Sequence, residues 1–276
     1  MEHLEIQGIT IPRLGLGTFE LHGDACRRSV ETALELGYRH LDTAESYGNE
    51  SDVGAALAAS GIPRDEVFLV TKVWWENLEY QQVLRHLEGS LERLGTDHVD
   101  LALIHWPEPQ GDLEPPLAAM QRLREEGRIG LLGVSNFPAP LLQRALEMAP
   151  IACNQVEYHP FLSQSALHDL AVRHSHALVA YCPIARGRVA DDPVIAEIAA
   201  AHGKTAAQVT LRWLLQQENV AAIPRSSRED HLRENLAVFD FTLDPDQMTA
   251  IGARERELRL VDPQFAPRWR RRQARE

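Results

Sequence analysis

Val67-Phe68-Leu69-Val70-Thr71-Lys72-Val73 is a continuous, mostly apolar run with the length of a β-strand, and this pattern is typical of a strand buried on both faces of a sheet. The segment Leu78–Leu94 follows it, and there apolar residues recur at helical spacing with charged residues between them. A buried strand followed by an amphipathic helix is the repeating unit of a parallel sheet. This stretch therefore indicates an α/β fold.

The same unit recurs along the whole chain, at intervals close to the roughly 30 residues that a strand, a loop and a crossover helix occupy. The eight strand candidates are Leu14–Phe19, Arg39–Thr43, Val67–Val73, Val99–His105, Gly130–Asn136, Ala152–Tyr158, Ala177–Pro183 and Val220–Arg225. No linker or charge block interrupts them. Eight alternating units predict a closed (β/α)8 TIM barrel that forms a single domain over residues 1–276.

Local signals mark the beginning of this barrel. Gln7-Gly8 lies between two apolar triplets, which predicts a small N-terminal β-hairpin that plugs the barrel bottom. The first helix is expected over Asp24–Gly37, with Asp24 as its N-cap and Gly37 as its C-terminal stop.

An open, doubly wound sheet is the rival architecture. Its dinucleotide-binding fingerprint, G-x-G-x-x-G, is started by Gly15 and Gly17 but broken at Glu20. The signal is weak, and we therefore prefer the closed barrel.

The composition of the chain excludes several classes of function. The net charge of the 276 residues is −12 and the pI is about 5.5, so the protein repels phosphate backbones and nucleic acid is not an expected partner. No apolar stretch approaches the ~20 residues of a membrane span, and the N-terminus lacks a signal-peptide layout. The three cysteines, Cys26, Cys153 and Cys182, have no C-x-x-C spacing and suggest reduced thiols. We expect a cytoplasmic monomer without membrane contact.

The active site of such a barrel lies at the C-terminal ends of its strands. There the second strand ends in Asp42 with Tyr47 in the next loop, the third in Lys72 and the fourth in His105. Neighbouring strands lie about 4.8 Å apart, so these four groups should meet at one side of the barrel mouth. Each also has an ordinary interpretation: Asp42 as a turn cap, Tyr47 as an exposed loop residue and His105 as a satisfied core histidine.

Lys72 is the hardest of the four to explain structurally. Of the 28 basic residues only Lys72 and Lys204 are lysine, yet Lys72 lies inside an apolar strand. A buried cation needs a partner, and Asp42 on the neighbouring strand can provide it.

Together these groups suit the reduction of a carbonyl. Tyr47 keeps its proton at neutral pH, and the Lys72 ammonium should lower its pKa and make it a better general acid. His105 can donate a second hydrogen bond to the carbonyl oxygen. Because no nucleophile is present, the added group must come from a cofactor, and hydride from a nicotinamide is the obvious choice.

Two other functions stay open at this point. One is a hydrolase that uses Asp42 and His105, although neither a nucleophile nor a metal-ligand set is in place, and no metal is expected. The other is a redox-silent regulatory barrel that binds nicotinamide.

The chain resembles the aldo-keto reductase family over essentially its whole length. The stretches that carry the resemblance are Leu14–Phe19, Leu41–Ala44 with Tyr47–Glu50, Thr71–Trp74, Leu103–Pro107, Gly133–Phe137, Asn154–Pro160 and Ile223–Ser227. Within the family it is most similar to the bacterial 2,5-diketo-gluconate reductases, which also reduce small dicarbonyls and keto esters. The resemblance implies a catalytic tetrad of Asp42, Tyr47, Lys72 and His105, the same four residues.

The resemblance also implies the cofactor site. Ser135, Asn136 and Gln155 are expected to bind the carboxamide and Tyr181 to stack on the nicotinamide ring, although a turn and a core aromatic are the ordinary alternatives. Cys182 stands where the family commonly has serine. The full set of cofactor candidates is Thr18, Asp42, Ser135, Asn136, Gln155, Tyr181, Pro183, Ile184, Arg186, Gly187, Arg225, Ser226, Ser227, Arg228, His231, Glu234 and Asn235.

The substrate pocket is expected to be walled by Phe19, Trp74 and Trp106 beside Tyr47 and His105. Substrate choice is expected to depend on the loop near Glu108–Leu113 and on the tail over residues 260–276. Pro263, Phe265 and Pro267 suggest an extended tail over the barrel mouth, with a frayed terminus as the alternative.

The cofactor is expected to be NADPH, with NADH tolerated. The family places lysine after strand eight and arginine six residues later, whereas this chain has Arg225 and His231 there and keeps Glu234 and Asn235 facing the adenine. Arg225 suits bidentate binding of the 2′-phosphate. Arg228 is expected either to restore the missing cation or to be a solvated helix-start residue.

Overall fold

The computed structural model describes residues 2–108 and 111–269, and in this part of the chain it shows ten strands and ten α-helices. The strands are β1 (His3–Ile6), β2 (Ile9–Pro12), β3 (Leu16–Gly17), β4 (His40–Asp42), β5 (Phe68–Val73), β6 (Val99–Ile104), β7 (Ile129–Ser135), β8 (Ile151–Glu157), β9 (Ala177–Tyr181) and β10 (Val220–Ala222). The helices are α1 (Gly23–Leu36), α2 (Glu50–Ala59), α3 (Tyr80–Leu94), α4 (Glu114–Glu125), α5 (Ala139–Met148), α6 (Ser165–His174), α7 (Pro193–His202), α8 (Ala206–Leu215), α9 (Glu229–Leu236) and α10 (Pro245–Gly252).

The predicted (β/α)8 barrel is confirmed. Strands β3 to β10 form one parallel sheet in chain order, and each of the eight predicted strand segments overlaps one of them, with β7 and β8 beginning one residue before the predicted start. A bridge between Leu14 and Ala222 closes the sheet, and the Gly15 amide donates to the Ala222 carbonyl over 2.9 Å. Closure requires Gly17, because a Cβ at this position would lie 2.7 Å from the Ile223 carbonyl oxygen.

The N-terminal hairpin is also confirmed. Strands β1 and β2 pair antiparallel, and Gln7 and Gly8 form their turn with positive φ angles. Leu4, Ile6 and Ile11 of the hairpin share a buried apolar cluster with side chains from the barrel strands, including Phe68. The hairpin therefore plugs one end of the barrel and leaves the other end open for the site.

The helices cover the outside of the barrel and form the larger apolar core with the outward side chains of the strands. The prediction that Asp24 caps α1 is wrong: α1 begins one residue earlier, His22 is the N-cap, and Asp24 lies in the first turn. The C-terminal stop at Gly37 is confirmed by its left-handed conformation, with φ of 103°. In the described ranges no helix combines the length and the apolar composition that a membrane crossing requires.

After α10 the described tail has no helix or strand. Residues 270–276 of the predicted tail, and residues 109 and 110 of the predicted specificity loop, lie outside the described residues. The part that is described crosses the open end of the barrel, where Leu260–Pro263 line a cleft.

The seam of the barrel gives the first prediction. Gly17→Ala should destabilise the fold by about 1–3 kcal/mol, because the added methyl group meets a backbone oxygen that is fixed by the closing strand. Gly252→Ala is the matched control, since its Cβ would have its nearest neighbour 3.9 Å away. Urea denaturation of both variants measures the effect, and equal stabilities would contradict the role of Gly17.

Candidate active site

The four predicted side chains meet at the open end of the barrel. Lys72 Nζ donates to Asp42 Oδ1 over 2.5 Å, to the Thr43 carbonyl over 2.9 Å and to the Tyr47 hydroxyl over 3.3 Å. The His105 ring lies 5.5 Å from the Tyr47 ring, edge to face. Both strand-end side chains of the ion pair are buried, so the pair stands in a medium where its attraction is weakly screened.

Asp42 is fixed from several directions. Its second carboxylate oxygen accepts from Gln155 Nε2 over 2.7 Å, and its carbonyl accepts from the Thr18 amide over 3.0 Å and from the Thr18 hydroxyl over 2.9 Å. Asn49 donates to the Thr18 carbonyl over 2.8 Å and accepts from the Thr43 hydroxyl. This buried network holds the carboxylate, and through it the Lys72 ammonium, in one position.

The protonation of Tyr47 differs from the sequence-based expectation. The structure shows that the pKa of Tyr47 is raised well above its ordinary value of 10, first by burial and then by the negative charge of Asp42. The prediction that the Lys72 ammonium brings this pKa below its ordinary value is therefore wrong. Burial also lowers the pKa of Lys72, against the opposing effect of Asp42. Tyr47 is consequently a protonated phenol throughout the neutral range.

His105 is neutral in this site. Burial, followed by the charge of Lys72, lowers its pKa well below 6.5. Its Nδ1 lies 3.2 Å from the Ser46 hydroxyl, and when that hydroxyl donates, the ring proton is on Nε2. His105 can then act as a neutral hydrogen-bond donor.

Polar side chains with amide or hydroxyl groups continue the site. Asn136 donates to the His105 carbonyl over 3.0 Å and accepts from the Tyr181 hydroxyl over 2.8 Å, and Ser135 donates to the Gln155 carbonyl over 2.9 Å. Asn136 has a φ of 63°, which asparagine tolerates better than most residues. These neutral donors and acceptors beside Asp42 are suited to a primary carboxamide.

A cleft of about 1510 Å³ joins these groups. Ten of the predicted cofactor residues line it: Asp42, Ser135, Asn136, Gln155, Tyr181, Pro183, Ile184, Arg186, Gly187 and Arg225. The other seven lie outside its lining: Thr18, Ser226, Ser227, Arg228, His231, Glu234 and Asn235.

The loop that follows β9 contains consecutive residues with left-handed backbone angles. Ala185–Asp191 is a distorted 3-10 segment in which Arg186 and Gly187 have φ angles of 53° and 89°. Cys182 also lines the cleft, and burial raises the pKa of its thiol. Together with Arg225, the Arg186 guanidinium gives this end of the cleft positive charge, as a dinucleotide with phosphate groups requires.

The predicted aromatic wall is present at the other end. Phe19 lies 5.1 Å from the Tyr47 ring, and Trp74 lies 5.2 Å from the His105 ring. Phe265 from the tail packs edge to face on Trp74 at 5.3 Å and on Trp106 at 5.5 Å. Trp74, Trp106 and the tail residue therefore form one continuous apolar surface beside the reacting groups.

Two carboxylates of the site were not predicted: the buried Glu50 and the partly buried Glu45. Glu45 accepts from the Trp74 amide over 2.5 Å and from Asn77, and its other oxygen lies 2.7 Å from His86 Nδ1. Glu50 accepts from the Thr71 hydroxyl and from Arg93 Nε over 2.7 Å. Both follow Asp42 closely in the chain, but their partners are far away in sequence, so the pattern alone offered no signal.

Among the described residues, no group of three His, Cys, Asp or Glu side chains is placed so that it could hold a metal ion. The chemistry of the lining suits a nicotinamide dinucleotide: side chains with amide and hydroxyl groups lie next to the Lys72–Asp42 pair, and arginine side chains line the distal end.

Comparison with known proteins identifies this arrangement. The model of the Aldo/keto reductase family matches residues 13–255. The chain belongs to the aldo/keto reductase family. It is 44% identical over 268 residues to the methylglyoxal reductase DkgB of Salmonella typhimurium, which covers 95% of this chain and 100% of that protein. It is 42% identical over 256 residues to an aldo-keto reductase of Mycolicibacterium smegmatis, over 92% of this chain and 93% of the relative.

Solved structures agree. A crystal structure assigned as a 2,5-diketo-D-gluconic acid reductase B superposes with a TM-score of 0.95 at 42% identity and covers 97% of this chain and 96% of its own. The aldose reductase of Schistosoma japonicum superposes with a TM-score of 0.90 at 32% identity, over 97% and 98% of the two chains. This aldo-keto reductase is therefore a nicotinamide-dependent oxidoreductase that reduces carbonyl compounds. The comparisons give no support to a redox-silent regulatory barrel.

The two perturbed pKa values predict the pH dependence of reduction. With saturating cofactor, kcat should show no titration of His105 near pH 6.5 and none of Tyr47 near pH 10, because the pKa of His105 lies well below the first value and the pKa of Tyr47 well above the second. The remaining tetrad cation is Lys72, whose pKa burial lowers. Steady-state kinetics as a function of pH provides the measurement. An inflection near pH 6.5 that is lost in His105→Gln would contradict the prediction.

Proposed function

We propose that this aldo-keto reductase prefers NADPH and reduces small dicarbonyl compounds, keto acids or keto sugars to alcohols, with Tyr47 as the general acid. The observation that carries the proposal is the contact of Lys72 with both Asp42 and Tyr47 at the mouth of the barrel. Small dicarbonyls are the favoured class, because the substrate end of the cleft is an aromatic wall and because a relative is named a methylglyoxal reductase.

Each residue of the tetrad has a separate part in this proposal. The Tyr47 hydroxyl delivers its proton to the carbonyl oxygen as negative charge develops there. Lys72 stabilises the phenolate that is left, and Asp42 holds the ammonium in place. The neutral His105 donates a hydrogen bond to the same oxygen and orients the carbonyl.

The polar groups around the tetrad would hold the cofactor. Ser135, Asn136 and Gln155 are the proposed partners of the carboxamide, and Tyr181 the proposed stacking surface. When bound, the reduced nicotinamide supplies the hydride that the carbonyl carbon accepts. Asp42, Lys72 and His105 are buried, so little water screens the charges that act on the reacting oxygen.

The cellular setting and the assembly state belong to the same proposal. Cys26, Cys153 and Cys182 are unpaired in the structure, and free thiols suit a reducing compartment such as the cytoplasm. We propose a monomer of one barrel domain, because each tetrad residue and the aromatic wall come from the same chain.

A carbonyl panel tests the reaction. Purified protein should oxidise NADPH when methylglyoxal is added, and the loss of absorbance of the reduced nicotinamide measures the rate. Tyr47→Phe should lower kcat by roughly 10²–10⁴-fold while cofactor affinity stays unchanged. The phenylalanine ring keeps the packing against Phe19 and His105 and removes only the proton donor. No turnover across the panel would refute the reductase, and full activity of the variant would refute the role of Tyr47.

The preference for NADPH depends on cations near the 2′-phosphate. Arg225 is about half exposed and its Nη2 lies 3.9 Å from the carboxylate of Glu20, a distance that leaves it available to a phosphate. Helix α9 begins at Glu229 with Arg228 as its N-cap, but Asp230 accepts from Arg228 through both carboxylate oxygens. That hydrogen bond also lowers the pKa of Asp230 to about 2. Arg225 is therefore the proposed reader of the phosphate, and Arg228 is partly neutralised.

Two substitutions distinguish these cations. Arg225→Ala should weaken NADPH binding by about 1.5–3 kcal/mol, the scale of a charge-assisted hydrogen bond, and leave NADH binding nearly unchanged. Asp230→Asn should release Arg228 and widen the preference for NADPH, because Asp230 holds the Arg228 guanidinium through both carboxylate oxygens. Fluorescence titration with NADPH and with NADH measures both affinities. An equal loss of affinity for the two cofactors in Arg225→Ala would show that Arg225 does not contact the 2′-phosphate.

A further inference from the structure

The tail reaches the barrel mouth through a series of anchors. Asp192 accepts from Arg254 Nε over 3.0 Å and from Arg256 Nη2 over 2.5 Å. The Phe161 carbonyl accepts from the Arg256 amide over 3.1 Å and from the Leu258 amide over 2.9 Å. These contacts bring the chain to Leu260, where it turns over the cleft.

The last anchor is a buried carboxylate at the end of a barrel strand. Glu157 is the final residue of β8 and has no exposed surface. One of its carboxylate oxygens accepts from the Leu260 amide over 2.7 Å and the other from the Val261 amide over 2.9 Å. His159 Nε2 lies 2.9 Å from the first of these oxygens, and it is also fully buried.

The dependence between Glu157 and the tail is mutual. A buried carboxylate is costly unless hydrogen bonds compensate for the water it has lost. Two of the compensating donors at Glu157 are backbone amides of the tail, so the carboxylate is satisfied only when the tail is docked. The tail, in turn, gains two charge-assisted hydrogen bonds from a rigid strand.

Glu157 itself does not line the cleft, whereas Leu260–Pro263 do. Beyond them, Phe265 stacks on Trp75 at 5.2 Å and packs on Trp74 and Trp106, and Trp269 packs on Trp106 at 6.2 Å. The position of this aromatic cover over the substrate end depends on where the tail is fixed at Leu260 and Val261.

We propose that Glu157 is a positioning residue for substrate selection: it clamps the backbone of Leu260 and Val261 so that Phe265 completes the aromatic wall. The inference rests on the proposed carbonyl reductase function for its kinetic consequence. In this proposal Glu157 affects the binding of large carbonyl substrates. It takes no part in proton transfer or in cofactor binding.

The test compares Glu157→Gln, Val261→Pro, the double variant and the wild-type protein. Glutamine keeps one acceptor but presents an NH2 group to the second amide of the tail, and proline at 261 removes that amide donor while Glu157 stays intact. Glu88→Gln is the matched control, because Glu88 is an exposed partner of Arg128 far from the cleft.

Three measurements are made on each protein. The first is the rate of trypsin cleavage after Arg259, identified by mass spectrometry. The second is kcat and KM for methylglyoxal and phenylglyoxal, which share the reacting group and differ in bulk. The third is the affinity for NADPH.

Both single variants should be cleaved roughly tenfold or more faster, the ratio that loss of one charge-assisted hydrogen bond gives. KM for phenylglyoxal should rise by a similar factor in both single variants. Glu157→Gln, whose side chain does not line the cleft, should change kcat, KM for methylglyoxal and NADPH affinity little. The double variant should resemble the single ones, since both changes break the same clamp. Glu88→Gln should behave as the wild type.

Other outcomes overturn the proposal. Unchanged cleavage shows that Glu157 does not hold the tail, and faster cleavage with unchanged KM values shows that the tail does not select substrates. If Glu157→Gln fails to fold, Val261→Pro alone decides between these results. A wild-type protein that reduces neither glyoxal refutes the proposed function instead, and cleavage still reports on the clamp because it needs no turnover.

Discussion

The Lys72–Asp42 ion pair is the constraint on which the site depends. Removing an ammonium and a carboxylate from water costs several kcal/mol for each ion, and breaking such a pair by removing one partner typically destabilises a protein by about 3–5 kcal/mol. The barrel compensates for this cost with further hydrogen bonds. Gln155 donates to the second carboxylate oxygen of Asp42, Thr18 donates to the Asp42 carbonyl, and the Thr43 carbonyl accepts from Lys72. The pair then fixes a positive charge against the Tyr47 hydroxyl.

The same low-dielectric surroundings set the protonation states of the site. They keep Tyr47 protonated and His105 neutral, so that both can donate hydrogen bonds to one carbonyl oxygen. Burial and the Asp42 charge together keep the pKa of the resting phenol raised despite the adjacent Lys72 ammonium. Its charge becomes important only when the proton leaves and a phenolate remains.

Carboxylates beyond the tetrad share a second physical pattern. The partly buried Glu45 accepts from the Trp74 amide, and the buried Glu157 accepts from the amides of Leu260 and Val261. In each case a negative charge with little access to water is compensated by backbone donors from another segment of chain. A strand or turn residue thereby holds an aromatic wall segment at a fixed distance from the reacting groups.

The sequence by itself determined the eight strand–helix units, the N-terminal hairpin and the four groups at the strand ends. Strands and helices follow from the local periodicity of apolar residues, and consecutive strands of a parallel barrel are neighbours in space, so their C-terminal residues lie close together. The sequence failed where the answer depended on distant partners. Asp24 was expected to cap α1, but the helix begins at Gly23, whose amide donates to the carboxylate of Asp52, and the shift of the Tyr47 pKa depended on burial that no short pattern reveals. Only the tertiary structure decided that Glu157 meets Leu260 and Val261, about a hundred positions further along the chain, and that Asp230 occupies Arg228. The physical reason is that hydrogen bonds and desolvation act over a few ångströms in space, irrespective of separation along the chain.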